Sequence, residues 1–427
     1  MKMLGKALRK LFGFLPRDQR FAVYRSFVNC DPAPSARLQL KIAETQEELE
    51  ACFRLLHDAY VHAGFMKPDP SGMRVTIYHA LPTTTTLCAK YDGEVVGTLS
   101  LIRDSVFGFP LQSIFDLSGV RSKEGNIAEV SALAVHPKFR KTGGAILFPL
   151  MKFMYEYCVT FFDTRHLVIA VNPNRIEMYE SLLFFQRLAA NVVENYDFAN
   201  GAPAVGAWLD LGHAPAIFKN TYGAKPARKN LDAYFTEVKL PNIQLPQRRY
   251  YTTNDPVLTP DLLDHFFNVR TTCFASLDEH RKELLHSIYD LPDYDQVLPL
   301  VGPRLGAARK PRRYRRYSFK CPGYLTVSGG GQTVRYSLQV TEVSKYGFQA
   351  RAKRPLPLNI WGDATVQLGL KEASTVKAIA VRDDMNGRSG SYGFNLGEPD
   401  LVWTKFVNAL TSGKTHGDLE DATRFMP

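Results

Sequence analysis

At Arg304 the chain changes character, and that break constrains its architecture more than any other feature. The run from Arg304 to Lys320, "RLGAARKPRRYRRYSFK", is crowded with arginine and lysine and holds no acid. Before it, apolar spacing switches between helical and strand periods. After it come short strand signals separated by turn residues: "YLTVSG", "VRYSLQVTEV", "GFQARA", "DATVQLGL", "VKAIAVRD" and "SYGFNL". Such spacing predicts a small β-barrel, followed by a helix over "LVWTKFVNAL". With 427 residues the chain is too long for one typical core, so two or three domains are expected.

The upstream segment reads α-β-β-β-α-β-α, a mixed α/β domain. Thr45 and Glu48 form a capping-box signal ahead of an apolar helical face at Leu49, Cys52, Phe53, Leu56 and Tyr60. "LCAKYDGEVVGTLSLI" predicts a hairpin turning at Asp92-Gly93. "NIAEVSALAV" and "HLVIAV" are strand signals; "AILFPLMKFMYEYC" and "PNRIEMYESLLFFQRL" are helical, with Pro149 expected to kink the first or shift its start. Residues 241–307 read as a helical extension, with Thr259-Pro260 as one helix start and Ser276 with Glu279 as a second capping box.

Composition narrows the function classes. The six cysteines are scattered, with no metal-like spacing, and no HExxH occurs, so neither a disulfide framework nor a metal site is expected. No apolar run approaches the roughly 20 residues of a membrane helix, and the start lacks the pattern of a secretory signal; a cytoplasmic location is expected. The formal charge of +11 calls for anionic partners. In residues 1–37, Leu4, Leu11, Phe12 and Leu15 alternate with Lys2, Lys6, Arg9 and Lys10. This fits a helix packed on the domain behind it, or a peripheral contact with the inner face of a membrane.

The candidate chemistry lies in "EVSALAVHPKFRKTGGAILF", Glu129 to Phe148. Alternation puts Ile127, Glu129, Ser131, Leu133 and Val135 on one strand face. A carboxylate among apolar residues tends toward a raised pKa, which suits a general base; the alternative is a Glu at a domain rim or in a structural ion pair. After the strand, Arg140, Lys141, Thr142, Gly143, Gly144 and Ala145 lead into a helix. Glycines let backbone N–H groups approach an anion, and the helix start adds partial positive charge; taken alone, such a run is equally an ordinary turn. Further on, "VNPNRIEMYESLLFF" carries Asn172 and Tyr179; taken alone, Tyr179 is equally a core aromatic.

Together these residues resemble the GNAT acyltransferase superfamily, whose loop pattern is Arg/Gln-x-x-Gly-x-Gly/Ala. Arg140, Gly143 and Ala145 match it. The resemblance implies that the loop binds the phosphates of an acyl carrier, that Glu129 accepts the amine proton, and that Tyr179 protonates the departing thiolate with Asn172 supporting the acyl site. The usual Gly-Phe ending is replaced by Leu183-Phe184. Across residues 38–240, "HDAYVHAGFMKPDP" and "NYDFANGAPAVGAWLDL" resemble the N-acyl amino acid synthases, relatives of the acyl-homoserine lactone synthases. That implies an acyl group delivered by acyl carrier protein or coenzyme A to the amine of an amino acid. Lys138, Arg140, Lys141 and Lys152 are candidate docking charges for an acidic carrier, although Lys138 and Lys152 read more simply as ordinary solvated lysines.

The basic run could be a nucleic-acid patch or a linker. Arg312-x-x-x-Arg316 followed by "EVSKYG" resembles instead the PilZ signature, Arg-x-x-x-Arg then Asp/Asn-x-Ser-x-x-Gly. The resemblance implies cyclic di-GMP binding by Arg312, Arg313, Arg316, Glu342, Ser344 and Gly347, with Glu342 standing where Asp or Asn is usual. The expected organisation is an N-terminal segment and linker (1–37), a GNAT-like domain (38–240), a helical connector (241–307), a PilZ domain (308–412) and a tail (413–427). The expected function is N-acyl transfer under cyclic di-GMP control. A non-catalytic cyclic di-GMP receptor is the main alternative, and nucleic-acid binding ranks last.

Overall fold

The computed structural model describes residues 15–140, 142–246, 258–289, 291–302, 314–329, 332–369, 372–383 and 390–412. Lys2, Lys6, Arg9, Lys10, Lys141, Arg312, Arg313 and the tail from 413 lie outside the described residues. Among the described residues the chain divides into two compact units. The first takes in the chain up to Val159, Asp163–Leu245 and Val269–Cys273; the second takes in Thr160–Phe162, Pro246–Asn268 and the chain from Phe274 onward. No described helix is long and apolar enough to cross a membrane.

The first unit is built on an eight-stranded mixed sheet. Its strands are β1 (Leu38–Ile42), β2 (Thr84–Tyr91), β3 (Glu94–Arg103), β4 (Asn126–Val135), β5 (Thr164–Val171), β6 (Gln186–Arg187), β7 (Val193–Tyr196) and β8 (Ala202–Asp210). The order is β1-β2-β3-β4-β5-β8-β6, with β7 also on β8. Only β4 and β5 run parallel. Asp92 and Gly93 both take positive φ at the β2–β3 turn, as a two-residue hairpin requires.

The principal helices of this unit are α1 (Arg17–Ser26), α2 (Gln46–Ala63), α3 (Leu147–Thr160), α4 (Pro173–Leu183), α5 (Ala214–Tyr222) and α6 (Leu231–Thr236). Thr45 caps α2 by accepting from the Glu48 N–H at 3.2 Å, and Gly64 ends it at φ 78°. The Glu48 carboxylate does not close the capping box; it pairs with Lys41 and Lys90. α2 packs on β3 and β4, on the face that carries Glu129. α3 covers the opposite face, where Tyr157 Oη meets Thr85 Oγ1 at 2.9 Å. Pro149 shifts the start of α3 rather than kinking it. The helix begins at Leu147, so the missing N–H falls in a first turn that needs no donor.

The second unit contains α7 (Pro260–Asp264), α8 (Glu279–Ile288) and a closed barrel. Thr259 caps α7 as expected, accepting from Leu262 N–H. At α8 the cap is Asp278, accepting from Arg281 N–H at 2.8 Å, rather than Ser276. Asp278 stands directly before the first helical residue, within reach of the third N–H. The barrel strands are β9 (Arg316–Gly329), β10 (Gln332–Ser344), β11 (Gly347–Ala352), β12 (Trp361–Gln367), β13 (Ala373–Asp383) and β14 (Ser391–Leu396), closed in the order β10-β11-β14-β13-β12-β9. β9 starts at Arg316, earlier than the Tyr324 expected, and runs through Pro322. Pairing to β12 begins only at Gly323, so the proline interrupts no bond on that side. Helix α9 (Leu401–Thr411) sets Trp403 and Phe406 into the barrel core with Phe348 and Phe394.

Candidate functional site

The parallel ladder between β4 and β5 is short. It pairs Asn126–Glu129 with Thr164–Val168 and stops there, while β5 remains paired to β8 as far as Val171. Just beyond Glu129, β4 bulges. Thr98 pairs with Ala134 and Ser100 with Ser131, leaving two residues opposite Leu99, and Ala132 takes φ 55°. The bulge ends the simple alternation. Ile127, Glu129 and Ser131 share a face, but Val135 pairs with Gly97 on the α3 side, so the expected common face for Leu133 and Val135 does not hold. The strands therefore part at Glu129, beyond which β4 no longer pairs with β5.

Glu129 is 2% exposed, and its Oε2 accepts from Leu111 N–H at 3.1 Å. Burial among Ile102, Phe109, Ile127 and Val168 pushes its pKa up to about 8, against the small opposing effect of Leu111. No basic group pairs with it among the described residues. Tyr60, from the last turns of α2, is half-buried nearby. Burial raises its pKa, Arg74 opposes this, and Glu129 adds to the rise. Burial also raises the pKa of Tyr179 on α4, with Tyr60 contributing. Tyr60 thus interacts electrostatically with Glu129 on one side and with Tyr179 on the other.

The loop after β4 turns through Pro137–Phe139. Gly143 and Gly144 follow at φ 66° and 90° and lead into α3. A Cβ on Gly144 would come within 2.4 Å of the Phe148 ring, so glycine is required by both conformation and space. The Thr142 hydroxyl donates to Phe139 O at 2.7 Å. Arg140 is exposed, with Nε donating to Val135 O at 2.8 Å. Ala145 lies in the turn before α3.

Asn172 is the N-cap of α4, its side chain accepting from Asn174 N–H at 3.0 Å. The left-handed residue after α4 is Phe184, at φ 60°. The position where glycine would be expected is therefore Phe184 rather than Leu183, and Phe185 packs edge-on to Tyr179 at 6.0 Å. Lys152 is neither a docking charge nor a solvated lysine. It is buried, with Nζ 2.8 Å from Glu156 and near Phe235 O. Lys138 is exposed.

On the α3 side lies a small apolar pocket, lined by residues including Met151, Met154, Leu167, Phe185, Leu209 and Phe218. Leu167 pairs with Ala128, beside Glu129. The sequence singles out Glu129, the loop and Tyr179 and puts Tyr60 on an apolar helical face; it marks neither Arg74 nor Tyr196, which come from a separate loop and strand with no shared period.

In the barrel, a cleft of about 870 Å³, open to solvent, is lined by residues including Tyr314, Arg316, Glu342, Ser344, Tyr346 and Asn395. β10 bulges between Val340 and Glu342, Val343 enters the barrel core, and Glu342 is 2% exposed beside the cleft. There its Oε2 accepts from Arg316 Nη1 at 2.6 Å. Ser344 Oγ donates to Gly347 O at 3.1 Å, and a Cβ on Gly347 would come within 2.6 Å of Phe394 O. The Tyr314 and Tyr346 rings lie 4.8 Å apart, with Lys345 over both.

Residues 51–210 match the family model described as N-acyl amino acid synthase FeeM. This segment is an N-acyltransferase domain. No curated protein matches the chain. Among solved structures, the chain is similar to FeeM, an N-acyl amino acid synthase from uncultured soil microbes: 24% identity over 42% of this chain and 94% of that one, TM-score 0.36. It is similar to BjaI, a CoA-dependent acyl-homoserine lactone synthase, at 21% identity over 48% and 92%, TM-score 0.35. It is also similar to YncA, a putative acetyltransferase from Salmonella typhimurium, at 17% identity over 41% and 94%, TM-score 0.28.

Proposed function

We propose that the first unit transfers a long-chain acyl group from a carrier thioester, on acyl carrier protein or coenzyme A, to the amine of an amino acid. The observation that carries this reading is Glu129: a buried carboxyl with a pKa near 8, held where β4 and β5 part. Ionised, it accepts a proton from the amine as nitrogen attacks the thioester carbonyl. Backbone N–H groups of the parted β4 stabilise the oxyanion. Collapse expels the thiolate, and Tyr179, kept protonated by its raised pKa, supplies the proton. Gly143, Gly144 and the start of α3, with Arg140, Lys141, Thr142 and Ala145, receive the carrier phosphates. The pocket beside Leu167 takes acyl methylenes, each worth about 0.8 kcal/mol when buried. Asn172 contributes by fixing the start of the helix that carries Tyr179.

The same proposal assigns the barrel as a PilZ domain that binds cyclic di-GMP and regulates transfer. Arg316, Ser344 and Gly347 border the cleft in support, with Arg312 and Arg313 as further ligands on the resemblance alone. The test is acylation by the purified full chain, with acyl carrier protein and coenzyme A thioesters and mixed amino acids, products read by mass spectrometry. Glu129→Gln is expected to lower kcat about 10²–10⁴-fold. A wild-type protein that transfers nothing from either donor would favour the receptor reading instead.

A further inference from the structure

Arg74 lies in the segment between α2 and the turn at Ile77–Ala80 and is only 9% exposed. Its guanidinium stands over the Tyr60 ring at 4.3 Å and the Phe198 ring at 4.8 Å, and Nη2 donates to Phe198 O at 2.8 Å. No carboxylate pairs with it among the described residues. A guanidinium offers five donors in a planar fork, and a buried one without an anion is costly. Nearby, the Tyr196 hydroxyl is buried with no hydrogen-bond partner. Ser100 Oγ, which shares the Glu129 face of the sheet, is in the same condition.

Tyr60 and Tyr196 each sense both charges, the carboxylate of Glu129 and the guanidinium of Arg74. Glu129 and Arg74 thus lie within electrostatic reach of the same two tyrosines and do not pair with each other. A ligand with an amine at one end and a carboxylate at the other complements this arrangement. Its amine meets Glu129, its carboxylate meets the Arg74 guanidinium, and the orphaned hydroxyls take its remaining polar atoms.

We propose that Arg74 anchors the carboxylate of the acceptor and so selects α-amino acids over simple amines. This rests on the acyl-transfer reading above and names a specificity-determining residue within it. For the best acceptor found among the amino acids, the wild-type full chain is assayed with that amino acid, its decarboxylated amine and its α-amide. The expected preference for the amino acid is at least about a hundredfold in kcat/KM. Arg74→Gln is expected to raise KM for the amino acid, leave kcat within a few-fold and erase the preference, while Arg74→Lys keeps part of it. Equal use of amine and amino acid by the wild type, or a preference that survives Arg74→Gln, would overturn the proposal. Calorimetric titration with the twenty amino acids needs no turnover. If transfer is absent, binding of an amino acid that Arg74→Gln abolishes still supports the anchor, and absence of binding rejects it.

Discussion

Glu129 is one residue with two measurable signatures. Its carboxyl must be ionised to act as a base, so kcat/KM is expected to climb with pH and level off above about 8. The amine's own titration also shapes that curve, but the second signature belongs to the protein alone. The folded state favours the neutral carboxyl. Its contribution to stability is full below the ordinary value of 4.5 and is lost as pH rises through about 8, a span on the order of a few kcal/mol. Denaturant titrations of wild type and Glu129→Gln should diverge over that window, the wild type losing stability with pH relative to the variant. A parallel pair of curves would remove Glu129 from its assigned role. This residue was legible in the sequence because a lone carboxylate in an apolar strand is conspicuous. Arg74 was not: it sits in "SGMRVTIYHA", where no period marks a burial face, and its environment is assembled from Tyr60 on the preceding helix and Phe198, far away in the chain.

Among the elements, the loop into α3 is the most constrained. Gly144→Ala would strain a backbone at φ 90° and drive a methyl into Phe148. The expected cost is about 1–2 kcal/mol of stability, with KM for the acyl donor rising several-fold and kcat much less affected. Donor titrations at saturating acceptor, beside a thermal melt, separate the two effects. The Gly-Gly pair and the flanking strand and helix were readable from composition and period. The bulge at Ala132 was not, because nothing in "SALAV" signals a left-handed alanine. The barrel strands were read well where alternation was strict, as at β11 and β14, both found with the expected limits. The start of β9 was missed because its first residues are basic and lead into a proline.

At the scale of the whole molecule, the chain joins an acyl-transfer unit to a barrel with a polar cleft, and the regulatory proposal turns on what that cleft can bind. Arg316→Ala is expected to abolish cyclic di-GMP binding by the full chain in calorimetry. Glu342→Gln is expected to tighten it about tenfold, since it frees the guanidinium from a charge-assisted hydrogen bond. Unchanged affinity in both variants would detach the nucleotide from this cleft. The Arg316–Glu342 pair also has a consequence for when such a receptor responds. A carboxylate carried by the barrel itself is a competitor at fixed concentration, never diluted, so the ligand must displace it before the arginine is available. The apparent affinity falls by the fraction of time the arginine is released. If the cleft binds cyclic di-GMP as proposed, Glu342 sets a threshold, with little occupancy at low ligand concentration and filling only at higher concentration.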